Sequence, residues 1–145
     1  MNLERAIKLA AETHEGHKDK GGAPYILHAI RVMLEMNDDE SRMAAILHDT
    51  VEDGGVSLSD LRLAGFSDSV VRAVDTLTRR DGETYEMYIE RASKDPIAAV
   101  VKLADLRDNM NLDRIPWPTR RDVARLEKYQ WAYAKLLRSR LRPTA

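Results

Sequence analysis

A chain of 145 residues is the usual size of one domain with one core. Cysteine is absent, which excludes disulfides, Fe–S clusters, thiolate-ligated zinc and thiol nucleophiles together, so any metal must sit on histidine and carboxylate. The net charge is −1, charged residues make up 32% and apolar ones 43%, and no apolar run approaches the ~20 residues that cross a bilayer; a cytoplasmic, globular protein without a membrane partner is expected.

The pattern predicts helix after helix, and hence an all-α fold of about eight helices in a single domain over residues 1–145. Leu3, Ile7 and Ala10 or Ala11 recur at helical spacing, and the first helix stops before Gly16. Lys18–Ala23 reads as a loop, closed by Pro24 in the first turn of a helix that runs from Tyr25 to Met36. Asp38 or Asp39 caps the third helix, whose apolar positions run through Met43, Ile46, Leu47 and Val51 as far as Gly54-Gly55. Ser57 and Asp60 form a capping-box pattern for a short helix, with aspartate in place of glutamate. Further helices are predicted over Ser67–Leu77, Thr84–Ser93, Pro96–Met110 and Thr119–Leu141, with Asp95-Pro96 as cap and first position of the third of these. Pro116-Trp117-Pro118 is a stiff break before the last helix.

That last stretch carries eight basic residues between Thr119 and Ala145 against two acidic ones, Asp122 and Glu127, so the rest of the chain is acidic. No aromatic-interleaved or Gly-Arg pattern accompanies the basic stretch, so it reads as a solvated helix face and a nucleic-acid partner is not expected. Trp117, Tyr129, Trp131 and Tyr133 read as packing of this helix on the core, and the oligomeric state is not legible.

The chemistry gathers in three segments. In Leu47-His48-Asp49-Thr50-Val51-Glu52-Asp53, helical spacing sets His48 beside Glu52, and Asp49 beside Glu52 and Asp53. His28 lies in the apolar run Tyr25-Ile26-Leu27-His28-Ala29-Ile30, and Asp105 in Val100-Val101-Lys102-Leu103-Ala104-Asp105. A carboxylate among Val, Leu and Ala is costly to bury unpaired. Two imidazoles and two carboxylates could compensate one another around a divalent ion such as Mn²⁺ or Fe²⁺, with coordination positions left for water and substrate. His14 and His17 read as surface or loop histidines.

These segments resemble the HD-domain metal-dependent phosphohydrolases, and within them the RelA/SpoT-type alarmone hydrolase domain. Gly22–His28 resembles its G-x-P-Y-I-x-H motif, Leu47–Asp53 its L-H-D-T-V-E-D motif, and Val101–Asp105 with Asn109 its V-K-L-A-D-x-x-x-N motif. The resemblance implies His28, His48, Asp49 and Asp105 as metal ligands, with Mn²⁺ or another divalent ion as cofactor. It implies Glu52 and Asp53 as the pair that orients and deprotonates water, and Lys20 and Asn109 as contacts to a small-molecule nucleotide. The implied reaction removes the 3′-pyrophosphate of guanosine tetra- or pentaphosphate. A phosphatase acting on another nucleotide or dinucleotide, and a metal- and nucleotide-binding regulatory module with little turnover, are the alternatives. Lys18, Arg79, Arg80 and Arg107 are further cations that read first as surface charge. Asp19 departs from the pattern, because the family usually has arginine there, and Ala29 stands where it tends to have proline. The length leaves no room for the nucleotidyltransferase domain of bifunctional alarmone enzymes, so a stand-alone hydrolase similar to the small alarmone hydrolases is expected.

Overall fold

In the computed structural model, which describes residues 1–141, every regular element is helical. The elements are α1 (Leu3–Thr13), α2 (Ile26–Leu34), α3 (Asp39–Leu47), α4 (Thr50–Asp53), α5 (Leu58–Leu63), α6 (Asp68–Leu77), α7 (Tyr85–Ser93), α8 (Pro96–Asn109) and α9 (Arg120–Arg140), with a 3₁₀ turn at Leu112–Arg114. The only extended pairing among the described residues is an isolated bridge between Lys18 and Pro24 across the loop. Pro24 therefore precedes α2 instead of sitting in its first turn, and Tyr25 takes the cap position. No described helix is long and apolar enough to cross a membrane.

Helix α8 is the spine. It is apolar on nearly every side (Ala98, Ala99, Val101, Leu103, Ala104 and Leu106 are buried), which is the pattern of a helix surrounded by others. It packs against α2, α3, α6, α7 and α9. The larger core cluster lies on the α1, α2, α3 and α6 side, built on Ile46, Leu47, Val70, Val74 and Val101. A smaller one joins α7, α8 and α9 through Tyr88, Ile89, Leu106, Ala132 and Leu136. Tyr129 and Tyr133 pack on that second cluster as expected, whereas Trp117 stands 88% exposed in the loop.

The predicted caps form, with Asp38 and not Asp39 at α3, and a box at Thr119 joins them. Asp38 accepts from the Ser41 amide, Asp95 from those of Ile97 and Ala98, and both Ser57/Asp60 and Thr119/Asp122 form complete capping boxes. Each such cap is worth about 1 kcal/mol of helix stability.

One predicted helix is two. α3 stops at Leu47, Asp49 takes φ −105° and ψ 1°, and α4 restarts at Thr50. At the break, side chains bond back to the backbone carbonyls. The His48 imidazole occupies the Ala45 carbonyl (Nδ1 to O, 2.6 Å) and the Thr50 hydroxyl that of Leu47 (2.8 Å), the two acceptors that a continuous helix needs for the amides of Asp49 and Val51. Adjacent residues on an intact helix point about 100° apart. The break lets His48 and Asp49 aim at one centre. Gly54 closes the short helix against α1, where a Cβ would meet the Thr13 methyl at 1.8 Å.

Candidate metal centre and its cavities

α2, the α3–α4 break and α8 meet at a buried polar knot: His28 and His48 are each 3% exposed and Asp105 is 5% exposed. Ligand atoms of His28, His48 and Asp49 all lie within 4.8 Å of one another. Asp105 Oδ1 is 2.9 Å from His28 Nε2 and 3.4 Å from His48 Nε2, while His48 Nε2 is 3.0 Å from Asp49 Oδ2. All four residues expected as ligands therefore converge.

The outer nitrogens fix the tautomers. A carbonyl can only accept, so His48 Nδ1 carries the proton it shares with Ala45 O. His28 Nδ1 lies 2.5 Å from Asp108 Oδ2 and likewise donates. Both rings thus turn Nε2 inward, with the outer nitrogen anchored, as metal-binding histidines do. His48 Nε2 is also buried and in hydrogen-bond geometry with nothing, although carboxylates stand 3.0 and 3.4 Å away. An orphaned lone pair facing two carboxylates and a second imidazole fits a divalent cation with mixed N and O ligands, and no thiolate is present to favour a softer ion.

Asp108 escaped the sequence reading, although its spacing of three from Asp105 puts both on one face of α8. Arg31 Nε lies 2.7 Å from it and Arg114 Nη2 3.2 Å. Burial opposes its charge, but the bonds from His28 and Arg31 hold its carboxyl well below the usual range. Asp105 is ringed in the same way by Lys102 Nζ (2.8 Å) and Asn109 Nδ2 (3.1 Å). Burial again works against ionisation, and Lys102 and the two histidines override it. Asp49 accepts from the Tyr25 hydroxyl, and despite burial His48 and this bond bring its pKa to about 2.

Two cavities open beside this knot and share Tyr25, Asn109 and Tyr129. The larger, about 260 Å³, is lined by His28, Lys18, Asp19, Lys20, Arg114 and Arg125, with Leu112 and Ile115 as apolar wall. Lys20, expected as a nucleotide contact, lines this cavity, with a pKa lowered by partial burial and then by Arg125. The smaller, about 180 Å³, contains Asp49, Asp105, Glu52, Arg79, Tyr85, Lys102 and Lys128. Glu52 reaches it with one oxygen accepting from the Arg79 amide at 2.5 Å. Asp53 is exposed and outside both linings; burial, then Asp49 and Glu52, raise its pKa.

Several expectations change. The last helix is more than a solvated face, since Arg125 and Lys128 line the cavities and Lys128 Nζ sits 4.0 Å over the Tyr85 ring. Lys18 and Arg79 are cavity residues, whereas Arg80 pairs with Asp75 and Arg107 with Glu35 and Tyr133, outside both cavities. His14 is not a surface residue: it is 2% exposed, 4.9 Å from the Tyr25 ring, with neither nitrogen hydrogen-bonded, and burial lowers its pKa. His17 is exposed as expected.

A pH dependence follows. Burial disfavours the imidazolium of His28 and His48, but Asp105 and Asp108 around the first, and Asp49 and Asp105 around the second, raise both pKa values above 6.5. In the metal-free protein this contribution to stability is complete below pH 6.5 and is lost as pH rises past the folded-state values. A cation needs the neutral rings, so Mn²⁺ binding should release protons and tighten from pH 6 to pH 8. Calorimetric titrations in buffers of different ionisation enthalpy check this, and an affinity independent of pH would contradict it.

A family model described as HD domain matches residues 6–110. The chain is 39% identical over 125 residues to a GTP pyrophosphokinase of Streptomyces coelicolor, a match covering 77% of this chain and 15% of that protein. It is 32% identical over 120 residues to a guanosine-3′,5′-bis(diphosphate) 3′-pyrophosphohydrolase of Aquifex aeolicus, covering 74% of this chain and 17% of the relative. The chain thus spans about one sixth of the length of these relatives. A solved structure described as a metazoan ortholog of SpoT that hydrolyzes ppGpp superposes with a TM-score of 0.77 at 26% identity, covering 94% of this chain and 85% of that one. With the metal-type cluster, the helical architecture and the matched span in agreement, the chain belongs to the HD-domain family.

Proposed function

We propose that this protein is a Mn²⁺-dependent hydrolase that removes pyrophosphate from the ribose 3′ side of guanosine tetra- or pentaphosphate. The observation that carries the reading is the juxtaposition of His28, His48, Asp49 and Asp105 with a cavity holding both a carboxylate, Glu52, and the cations Arg79, Lys102 and Lys128. The relative from Aquifex aeolicus and the metazoan structure, by their descriptions, act on this substrate.

A divalent ion held by the four ligands would supply Lewis acidity and lower the pKa of water. In this reading Glu52 takes the proton of the attacking water, and the Arg79 amide bond to one of its oxygens, which leaves the other to act as base, supports that role. Asp53, beside it, is assigned to orient that water. The water oxygen bonds to the phosphorus next to the ribose, the bond from that phosphorus to the 3′ oxygen breaks, and the 3′ oxygen recovers a proton; the products are GDP or GTP and pyrophosphate. Arg79, Lys102 and Lys128 offset charge on the departing phosphates. On the other side of the knot, Lys18, Lys20, Arg125, Asn109 and Tyr129 offer contacts to the nucleotide.

Incubating the metal-loaded protein with ppGpp, with and without Mn²⁺ and beside His48→Ala, tests the reading. Metal-dependent GDP and pyrophosphate, absent in the variant, are expected. No product from protein with bound metal would overturn the substrate and turn the search to 2′- and 3′-phosphorylated nucleotides, the reading that Asp19 favours. Tight nucleotide binding without turnover of either class would instead favour the regulatory module.

A further inference from the structure

Asp19 is not a bare anion in the cavity. Its Oδ1 accepts from the amides of Gly21 (2.9 Å) and Ala23 (3.0 Å), which ties the Lys18–Ala23 loop into one shape, and its Oδ2 lies 3.1 Å from Arg114 Nη1. Gly21 allows the loop to lie directly on this arginine, since a Cβ there would meet the Arg114 carbonyl at 2.2 Å. The other arm of the guanidinium, Nη2, donates to the Asp108 carbonyl (2.7 Å) and lies 3.2 Å from the Asp108 carboxylate. Asp108 in turn holds His28 Nδ1 at 2.5 Å. Arg114 Nε is buried without an acceptor, so the two ends of the fork, and not its stem, fix its orientation. A line of polar contacts therefore runs from the substrate-facing loop to the ring of a metal ligand, its middle step being a hydrogen bond to the Asp108 carbonyl together with an ion pair to the Asp108 carboxylate.

We propose that Asp19 and Arg114 form a positioning pair that acts through Asp108 on His28, setting the affinity of the site for its cation and coupling the loop that bears Lys18 and Lys20 to metal occupancy. The inference rests on the metal centre assigned under the proposed function. A planar fork suits the task, because one rigid group must address two carboxylates at once, which a lysine ammonium on a flexible stem does not do. Partners that orient a ligating histidine typically contribute 10–100-fold to metal affinity. Arg114 acts one step behind Asp108, and Arg31 shares the load at Asp108 (Nη2 to Oδ2, 3.1 Å), so a loss near the lower end of that range is expected.

The test measures the Mn²⁺ dissociation constant from the electron paramagnetic resonance signal of the unbound ion, alongside the melting temperature of each metal-free variant. Arg114→Gln is expected to weaken Mn²⁺ binding about tenfold. Arg114→Lys, which keeps the charge, should not restore it. Asp19→Asn should weaken binding in the wild-type background and add nothing in the Arg114→Gln background, because the two belong to one line of contacts. A role confined to holding the loop would lower the melting temperature and leave Mn²⁺ affinity alone. Wild-type protein that binds Mn²⁺, with variants within twofold of it, would overturn the positioning role and leave the metal reading intact. Additive effects of the two substitutions would overturn the coupling. Wild-type protein that binds no divalent ion would overturn the metal centre and this inference together.

Discussion

Asp105→Ala is expected to abolish Mn²⁺ binding and hydrolysis together and to destabilise the metal-free fold by about 3–5 kcal/mol. Asp105 is the hub of the knot: its carboxylate meets His28, His48, Lys102 and Asn109, and it is almost wholly enclosed. Removing it takes one proposed ligand from the candidate centre and leaves Lys102 without its counter-ion. Burial opposes the Lys102 ammonium, and Asp105, then Tyr88, raise its pKa against that penalty. The Tyr88 ring, 5.1 Å from Nζ, cannot replace a counter-ion. The two losses can be separated. Adding Lys102→Met removes the stranded charge and should recover most of the stability, since an apolar side chain of similar length tolerates this enclosure better than an unpaired cation. Metal binding should not return. Urea unfolding of the metal-free proteins and calorimetric Mn²⁺ titration read the two quantities independently. Mn²⁺ bound at wild-type affinity by Asp105→Ala would remove Asp105 from the ligand set.

How far the sequence speaks for this site depends on the kind of contact involved. Helix starts are local events, so Ser57 and Asp95 mark theirs, and of the two candidates Asp38 and Asp39 the first is the cap. The candidate ligands are legible for another reason: His28, His48, Asp49 and Asp105 are what the motif resemblance implies, while an aspartate among Val, Leu and Ala by itself signals only a charge that must be compensated. The break between α3 and α4 is harder to see, because Leu47–Asp53 has ordinary helical periodicity. The side-chain bonds that mark the break, from His48 to the Ala45 carbonyl and from Thr50 to the Leu47 carbonyl, depend on rotamers. The predicted His48–Glu52 adjacency on one continuous helix gives way to His48 and Asp49 facing each other, with Glu52 carried round to the Arg79 amide. Arg114, Arg125 and Lys128 belong to the site through tertiary contact alone. Nothing in their local sequence distinguishes them from Arg80 or Arg107, whose partners lie elsewhere. Asp19, read alone, looks like a charge of the wrong sign, and only its pairing with Arg114 shows how the fold neutralises it.

The sharpest separation of chemistry from binding comes from Glu52. Glutamine there keeps the shape, the cavity wall and an oxygen able to accept from the Arg79 amide, yet it cannot take a proton. Glu52→Gln is therefore expected to lower kcat by about 10²–10⁴. Mn²⁺ affinity and melting temperature should stay close to wild type, because Glu52 is exposed and absent from the set of atoms that converge on the cation. Asp53→Asn provides the comparison. Asp53 lies outside the lining of both cavities, so its loss should be smaller, and the difference between the two variants measures how the pair divides its work. Single-turnover kinetics with ppGpp at saturating Mn²⁺ isolate the chemical step from product release. A large loss in Asp53→Asn with a small one in Glu52→Gln would move the base to Asp53. Equal losses of both catalysis and Mn²⁺ affinity in Glu52→Gln would make position 52 part of the coordination shell, which the break between α3 and α4 argues against by turning His48 and Asp49 toward the centre and carrying Glu52 to Arg79.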